Sequence, residues 1–223
     1  MTSVRRILAA SSSILLDFDG PVCGIFSGLT DVAVSDRLRE VLAGADIEMD
    51  AVTTQANDPL AVLRYVGVRA DRAVLAKVES TLISAEVEAT ASANPTPSAA
   101  QFMRTAVASG RSIAIVSNNS AEAVNAYLEL HKLAPYVAAV VGRQRERPEL
   151  MKPNRFPIDE ALRQLSVDDS KSVVLIGDSD ADLGAARAAG IQCIGYAETV
   201  GQLERLDGAD ALVHSMAELL VNL

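Results

Sequence analysis

The chain has no tryptophan and only four tyrosines and four phenylalanines in 223 residues, so a core built around large rings is excluded. Ala, Val, Leu and Ile must fill the interior, which suits helices packed on buried parallel strands. Cysteine is limited to Cys23 and Cys193, and histidine to His131 and His214. Neither set provides the paired ligands of a zinc site or a framework of disulfides. Both thiols are expected to be reduced and buried, as in a cytoplasmic protein. Positive charge is also short: 20 Lys and Arg against 29 Asp and Glu leave a net charge of −9 at pH 7. That balance repels phosphate backbones and anionic lipid surfaces, so neither nucleic acid nor a membrane is an expected partner. Long apolar runs are missing as well. Arg5-Arg6 precede Ile7-Leu8-Ala9-Ala10, but Ser11-Ser12-Ser13 and Asp17 interrupt the run, which reads as a short amphipathic helix rather than a secretory signal.

What is present is an alternation. Six short apolar runs read as buried strands: 14–18, 112–116, 137–141, 173–176, 191–194 and 211–213. They lack strict polar alternation, as strands covered on both faces do. Between them, 97–109, 120–131, 180–189 and 198–206 carry apolar residues at helical spacing. Gly110 and Gly190 stand where two helices should stop, and Ser120 where one should start. Strand and helix in turn predict an α/β fold, a Rossmann-like parallel sheet with helices on both faces. The stretch 21–93 differs, with helices expected at 36–43, 59–66 and 70–91 and no strand after Gly24. Asn94-Pro95-Thr96-Pro97 then returns the chain to the alternating pattern. The expected organisation is a core of residues 1–20 and 94–223, with 21–93 inserted as an α-helical cap.

Chemistry gathers at the predicted strand ends. Asp17-Phe18-Asp19-Gly20 closes the first strand, and carboxylates at i and i+2 share one side of an extended chain. In a parallel α/β sheet they face the ligand crevice. Two such charges repel, so the pair calls for a shared proton or a cation. Gly177-Asp178-Ser179-Asp180-Ala181-Asp182 repeats the pattern after 173–176, although Asp180 and Asp182 also suit a helix N-terminus. A hard divalent cation needs only a few carboxylate oxygens, and Mg²⁺ is the natural candidate. Ser117-Asn118-Asn119 offers a hydroxyl and amides at a strand–helix turn, an anion cradle or simply a cap. Lys152-Pro153 places a lysine in a loop between a strand and a helix.

Together, DFDG at 17–20, SNN at 117–119, KP at 152–153 and GDSDAD at 177–182 resemble the four motifs of the haloacid dehalogenase-like (HAD) hydrolases in order and spacing. The insert at 21–93 resembles the helical cap of phosphoglycolate phosphatase-like members. The resemblance implies a Mg²⁺-dependent phosphatase acting on a small phosphorylated metabolite. Asp17 would be the nucleophile that forms an aspartyl phosphate, and Asp19 the general acid and base. Ser117 and the amide of Asn118 would hold phosphate oxygens, and Lys152 would neutralise charge on the nucleophile and phosphoryl group. Asp178 would ligate the metal directly and Asp182 through water, with the Asp17 carboxylate and the Asp19 backbone carbonyl completing the protein ligands. The presence of Asp19 favours phosphate chemistry over carbon–halogen cleavage, since a halide leaving group needs no proton. A β-phosphoglucomutase-like mutase shares these motifs and is the alternative enzyme, and a non-catalytic binding protein is the alternative from another class. A monomer is expected, a homodimer being the alternative.

One departure stands out: Pro21 occupies a position usually held by Thr or Val, which removes an amide donor and stiffens the turn. Cys23 and Phe26 are expected to line the cleft between cap and core. Arg37, Arg39, Arg64, Arg69 and Lys77 are cap cations able to read a substrate carboxylate, and Arg143 is a candidate for the site rim.

Overall fold

The computed structural model describes residues 3–223. In chain order its elements are α1 (Ser3–Ala10), β1 (Ser13–Leu16), β2 (Cys23–Gly24), α2 (Asp31–Ala43), α3 (Ala51–Gln55), α4 (Pro59–Arg69), α5 (Arg72–Thr90) and β3 (Asn94–Pro95). The alternating part follows as α6 (Ala99–Ala108), β4 (Ser112–Val116), α7 (Ala121–Leu130), β5 (Ala139–Val141), α8 (Phe156–Leu165), β6 (Val173–Gly177), α9 (Asp180–Ala189), β7 (Gln192–Tyr196), α10 (Val200–Arg205), β8 (Ala211–Val213) and α11 (Met216–Leu220).

The six apolar runs form one sheet in the order β5-β4-β1-β6-β7-β8, and every pairing in it is parallel. Successive side chains of a strand face opposite sides of a sheet, and here both sides are buried. Ile14, Leu16, Ile113, Ile115, Val174 and Ile176 enter one core with residues of α1, α6, α7 and α11. Leu15, Ala114, Val116, Val173 and Leu175 enter the other with residues of α8 and α9. This is why the strands read as continuous apolar runs. The expected α/β class, with helices on both faces, is what the chain adopts.

Helices α2, α4 and α5 pack around a third core that includes Val34, Leu38, Leu63, Val66, Val78 and Leu82. The helical segment leaves and rejoins the sheet through β2 and β3, which pair antiparallel, Cys23 with Pro95 and Gly24 with Asn94. Among the described residues no helix is long and apolar enough to cross a membrane.

Several boundaries moved for local reasons. The strand expected over 14–18 stops at Leu16, because the Phe18 carbonyl accepts from Val22 and Cys23 and turns the chain. The helix expected from residue 36 begins at Asp31, where the Thr30 hydroxyl accepts from the Ala33 amide. The helix expected over 198–206 runs over Val200–Arg205 behind a Thr199–Gln202 capping box. Helix α8, the helix expected after the Lys152-Pro153 loop, carries Pro157 in its first turn, where a missing amide costs no intrahelical hydrogen bond. Pro21 is accommodated in a similar way: the amides used in its turn belong to Gly20, Val22 and Cys23.

Candidate active site

Strand register brings the motifs together. Leu16 pairs with Ile115 on one side and with Ile176 on the other. Asp17, Ser117 and Asp178 therefore emerge at the same edge of three adjacent strands, the C-terminal edge where open α/β sheets bind ligands. A cleft of about 300 Å³ opens there, lined by Asp17, Asp19, Ser117, Asn118, Lys152 and Asp178, with Phe26, Asp31, Asp58 and Arg64 from the helical segment facing them. A larger cavity of about 570 Å³ lies between α4 and residues 148–154 and shares Arg64 and Lys152 with the cleft. It lacks the aspartates of the motifs, which line the smaller one.

Lys152 is the electrostatic centre. Its side chain is buried, and Nζ lies 2.8 Å from Asp17 Oδ1 and 2.5 Å from Asp182 Oδ1. It also donates to the Val116 carbonyl at 2.9 Å. Burial alone would push the ammonium to lose its proton, but the two carboxylates outweigh this and hold it charged, with its pKa raised. The peptide between Lys152 and Pro153 is cis. Asp17 Oδ1 also accepts from the Phe18 amide at 2.7 Å.

Asp17, Asp178 and Asp182 each present a carboxylate oxygen, and these oxygens lie within 4.8 Å of one another. Against three carboxylates, Lys152 supplies one positive charge. The imbalance shows in the titration of the groups. Burial, then Asp182, raises Asp17 well above the ordinary carboxylate range, with Lys152 opposing. Burial and the carboxylates of Asp182 and Asp19 push Asp178 up to about 7. A buried cluster this short of positive charge, offering only oxygen donors, fits a hard divalent cation such as Mg²⁺.

Asp182 is fully buried and has both oxygens engaged. Oδ1 meets Lys152, while Oδ2 accepts from the Ser179 amide at 3.2 Å in the capping box that starts α9. Asp19 opens into the cleft, and Oδ1 accepts from the Ile25 amide at 2.9 Å. Asp19 is itself exposed at the cleft, and partial desolvation by the protein around its carboxylate raises its pKa. Its carboxylate is not part of the three-oxygen cluster, in keeping with the expectation that Asp19 meets a metal through its backbone carbonyl.

Asn118 bridges two motifs: Oδ1 accepts from the Lys152 amide at 2.8 Å, and Nδ2 donates to the Lys152 carbonyl at 3.1 Å. Ser117 Oγ accepts from the Asn119 amide and donates to Asn119 Oδ1, both at 3.1 Å.

Some expectations fail. Cys23 is fully buried rather than lining the cleft, and burial raises its thiol pKa; Phe26 does line the cleft. Of the cap cations, Arg64 alone reaches the cleft. Arg37 pairs with Glu88, Arg39 with Asp36, and Arg69 lies over the Tyr65 ring. Arg143 is neither at the rim nor solvated: it is buried and ion-paired with Glu79 and Glu86 of α5. Two contributors went unnoticed in the sequence. Gln202 donates to Asp178 Oδ2 at 3.0 Å, and its signal was the Thr-x-x-Gln spacing of a capping box ahead of a helix. Glu86 accepts from Ser120 and Asn119. Its signal was an acid seven residues from Glu79 on an otherwise apolar helix face.

Cores on both faces of a parallel sheet, with acids, a buried lysine and a hydroxyl-bearing turn at its C-terminal edge, define an α/β protein with a polar site at the mouth of its sheet. The family model for haloacid dehalogenase-like hydrolases matches residues 14–196, and the chain belongs to that family. It is 38% identical over 114 residues to the plasmid phosphoglycolate phosphatase of Cupriavidus necator, a match covering 49% of this chain and 47% of that one. The match thus spans about half the length of that relative. CbbY from Rhodobacter sphaeroides, solved in complex with phosphate, superposes with a TM-score of 0.69 at 21% identity, over 94% of this chain and 96% of that one. A haloacid dehalogenase-like family hydrolase from Streptococcus pneumoniae does so with a TM-score of 0.65 at 15% identity, over 96% and 98%. At these identities the likeness is one of fold.

Proposed function

We propose that the chain is a Mg²⁺-dependent phosphatase that hydrolyses the phosphate ester of a small metabolite through an aspartyl phosphate on Asp17. The observation that carries this reading is the convergence of Asp17, Asp178 and Asp182 within 4.8 Å, with Lys152 Nζ 2.8 Å from the Asp17 carboxylate. In this reading residues 21–93 form the cap that encloses the leaving group, over a core of 1–20 and 94–223.

Asp17, Asp178 and the Asp19 carbonyl would hold the metal, with Asp182, whose two oxygens are engaged, acting through water. When bound, Mg²⁺ supplies charge neutralisation to the phosphoryl oxygens and to the nucleophile. The Ser117 hydroxyl, which donates to Asn119 Oδ1, would turn its proton to a phosphate oxygen. The Asn118 side chain is committed to Lys152, so its backbone N–H is the group that faces the phosphate. Lys152 keeps the Asp17 carboxylate oriented and offsets the charge that gathers during transfer.

An Asp17 oxygen forms a bond to phosphorus as the ester oxygen–phosphorus bond breaks. Asp19, with its pKa raised by desolvation, is suited to give its proton to the departing alkoxide. The resulting Asp19 carboxylate then takes a proton from water, whose oxygen displaces Asp17 from phosphorus. The products are an alcohol and inorganic phosphate, and Asp19 regains its proton.

The test is phosphate release from a panel of small phosphate esters, with and without Mg²⁺, by wild type and Asp17→Asn. The expected result is metal-dependent release that falls at least about 10³-fold in the variant. Turnover with the phosphoryl group retained on a sugar, and no free phosphate, would assign a mutase instead. No turnover of any ester would overturn the catalytic reading.

A further inference from the structure

The Ser117–Ser120 turn is held from outside the sheet domain. Glu86, on α5 of the helical segment, is fully buried. Its Oε2 accepts from the Ser120 amide at 3.0 Å, at the start of α7, and its Oε1 accepts from Asn119 Nδ2 at 3.3 Å. Arg143 completes the arrangement. Its Nη1 donates to Glu86 Oε1 at 2.8 Å and to the Asn118 carbonyl at 2.7 Å, while its Nε donates to Glu79 Oε1 at 2.8 Å. Its own amide donates to the Asn119 carbonyl at 2.8 Å.

These contacts run into the phosphate cradle. A carboxylate can only accept hydrogen bonds, so Glu86 fixes which end of the Asn119 amide faces it. The NH₂ group turns to Glu86, and Oδ1 turns to the Ser117 hydroxyl 3.1 Å away. The Ser117 hydroxyl donates to Asn119 Oδ1 and accepts from the Asn119 backbone amide, so its oxygen is held in one place and its single proton would turn from Oδ1 to a phosphate oxygen when the anion enters. The Arg143 bond to the Asn118 carbonyl fixes the peptide that follows Asn118. Glu86 also meets the positive end of α7, an anion-favouring position.

We propose that Glu86 is a positioning residue for phosphate capture. Together with Arg143 it orients the Ser117 hydroxyl and the Asn118 backbone, so an element of the helical segment sets the geometry of the sheet-borne cradle. The phosphate part of this proposal rests on the phosphatase reading; the ordering of the turn does not. Glu79 is the internal control, because it lies on the same helix, is equally buried and pairs with the same arginine, but its hydrogen bond reaches only Arg143 Nε.

The experiment compares wild type, Glu86→Gln, Glu79→Gln and the double variant Glu86→Leu with Arg143→Met. The double variant is made in the Glu79→Gln background, so that the charges of Glu79, Glu86 and Arg143 are removed together, the kind of replacement that cores tolerate. Three quantities are measured on each: thermal midpoint, amide hydrogen exchange of residues 117–120, and affinity for inorganic phosphate in the presence of Mg²⁺. Glu86→Gln and the double variant are expected to bind phosphate at least about tenfold more weakly and to exchange amides 117–120 at least about tenfold faster. Glu79→Gln is expected to stay within about twofold of wild type in both, whatever its midpoint. Equal effects of Glu79→Gln and Glu86→Gln, or an unchanged exchange rate at 117–120 in folded Glu86→Gln, would overturn the proposal. Wild type that binds no phosphate would overturn the phosphatase reading, and the exchange rates would still decide whether Glu86 orders the turn.

Discussion

A Cβ placed on Gly20 would stand 2.6 Å from Asp178 Oδ2, closer than any non-bonded approach allows, at a backbone φ of +94°. The last residue of the first motif and the first acid of the fourth are thus fitted to each other across adjacent strands. Gly20→Ala should displace the Asp178 carboxylate and strain the turn, costing about 1–3 kcal/mol. Calorimetric titration with Mg²⁺ is expected to show affinity at least about tenfold weaker than wild type. Unchanged affinity would mean that the Asp178 carboxylate does not set the metal site.

Asp178 should make the metal-free protein sensitive to neutral pH. Its folded pKa of about 7 exceeds the ordinary carboxylate value. Between the two, the folded state binds more protons than the unfolded one, so stability falls as pH rises through this window. Asp17 is shifted in the same direction. In EDTA the thermal midpoint is expected to drop between about pH 5 and 7.5, and Mg²⁺ should restore it at the upper end. Asp178→Asn should flatten the decline. A midpoint that rises with pH in EDTA would contradict the proposed charge imbalance.

Ser179 offers a way to loosen Asp182 without removing it. Ser179→Ala deletes the hydroxyl that accepts from the Asp182 amide at the start of α9. The loss of such a cap costs about 1 kcal/mol, or a midpoint lower by about 2–4 °C in a chain of this size. Because Lys152 still holds Asp182 Oδ1, kcat is expected to fall by less than about tenfold. Differential scanning calorimetry and steady-state kinetics on the same preparation check both numbers.

Arg64 is the cation that the helical segment brings to the cleft. It is partly engaged by Asp58 at 3.6 Å, and its side chain remains 43% exposed. Arg64→Ala is expected to raise KM about tenfold for a phosphate ester with a second anionic group, with kcat within about twofold. An equal loss for a neutral leaving group would show that Arg64 shapes the cleft rather than reading charge.

The motif residues were legible because each stands immediately after a run that is buried on both faces, and in a parallel sheet such positions converge. The strand pattern and the rule that ligands sit at C-terminal edges brought Asp17, Ser117 and Asp178 to one place, while their roles came from the family resemblance. Arg143 was not legible. Its surroundings in sequence, Arg145 and Arg147 among them, are exposed and polar. Its burial depends on Glu79 and Glu86, which are 64 and 57 residues away and reach it only through the packing of α5 against the sheet domain. Helix α2 began five residues before its expected start because Thr30 caps it ahead of its first apolar stripe. Periodicity locates the buried face of a helix, whereas its ends are set by local hydrogen bonds.

The ribbon formed by β2 and β3 has one more consequence. It brings Gly24 opposite Asn94, so the helical segment departs and returns about 5 Å apart. Any segment with closely spaced ends could be spliced into the same junction without bending the sheet or spreading the four motifs. The junction therefore works as a socket, in which different helical segments could be exchanged over an unchanged sheet edge. The graft would have to carry a glutamate at the place of Glu86, since that residue belongs to the removable piece while the turn it secures belongs to the permanent one.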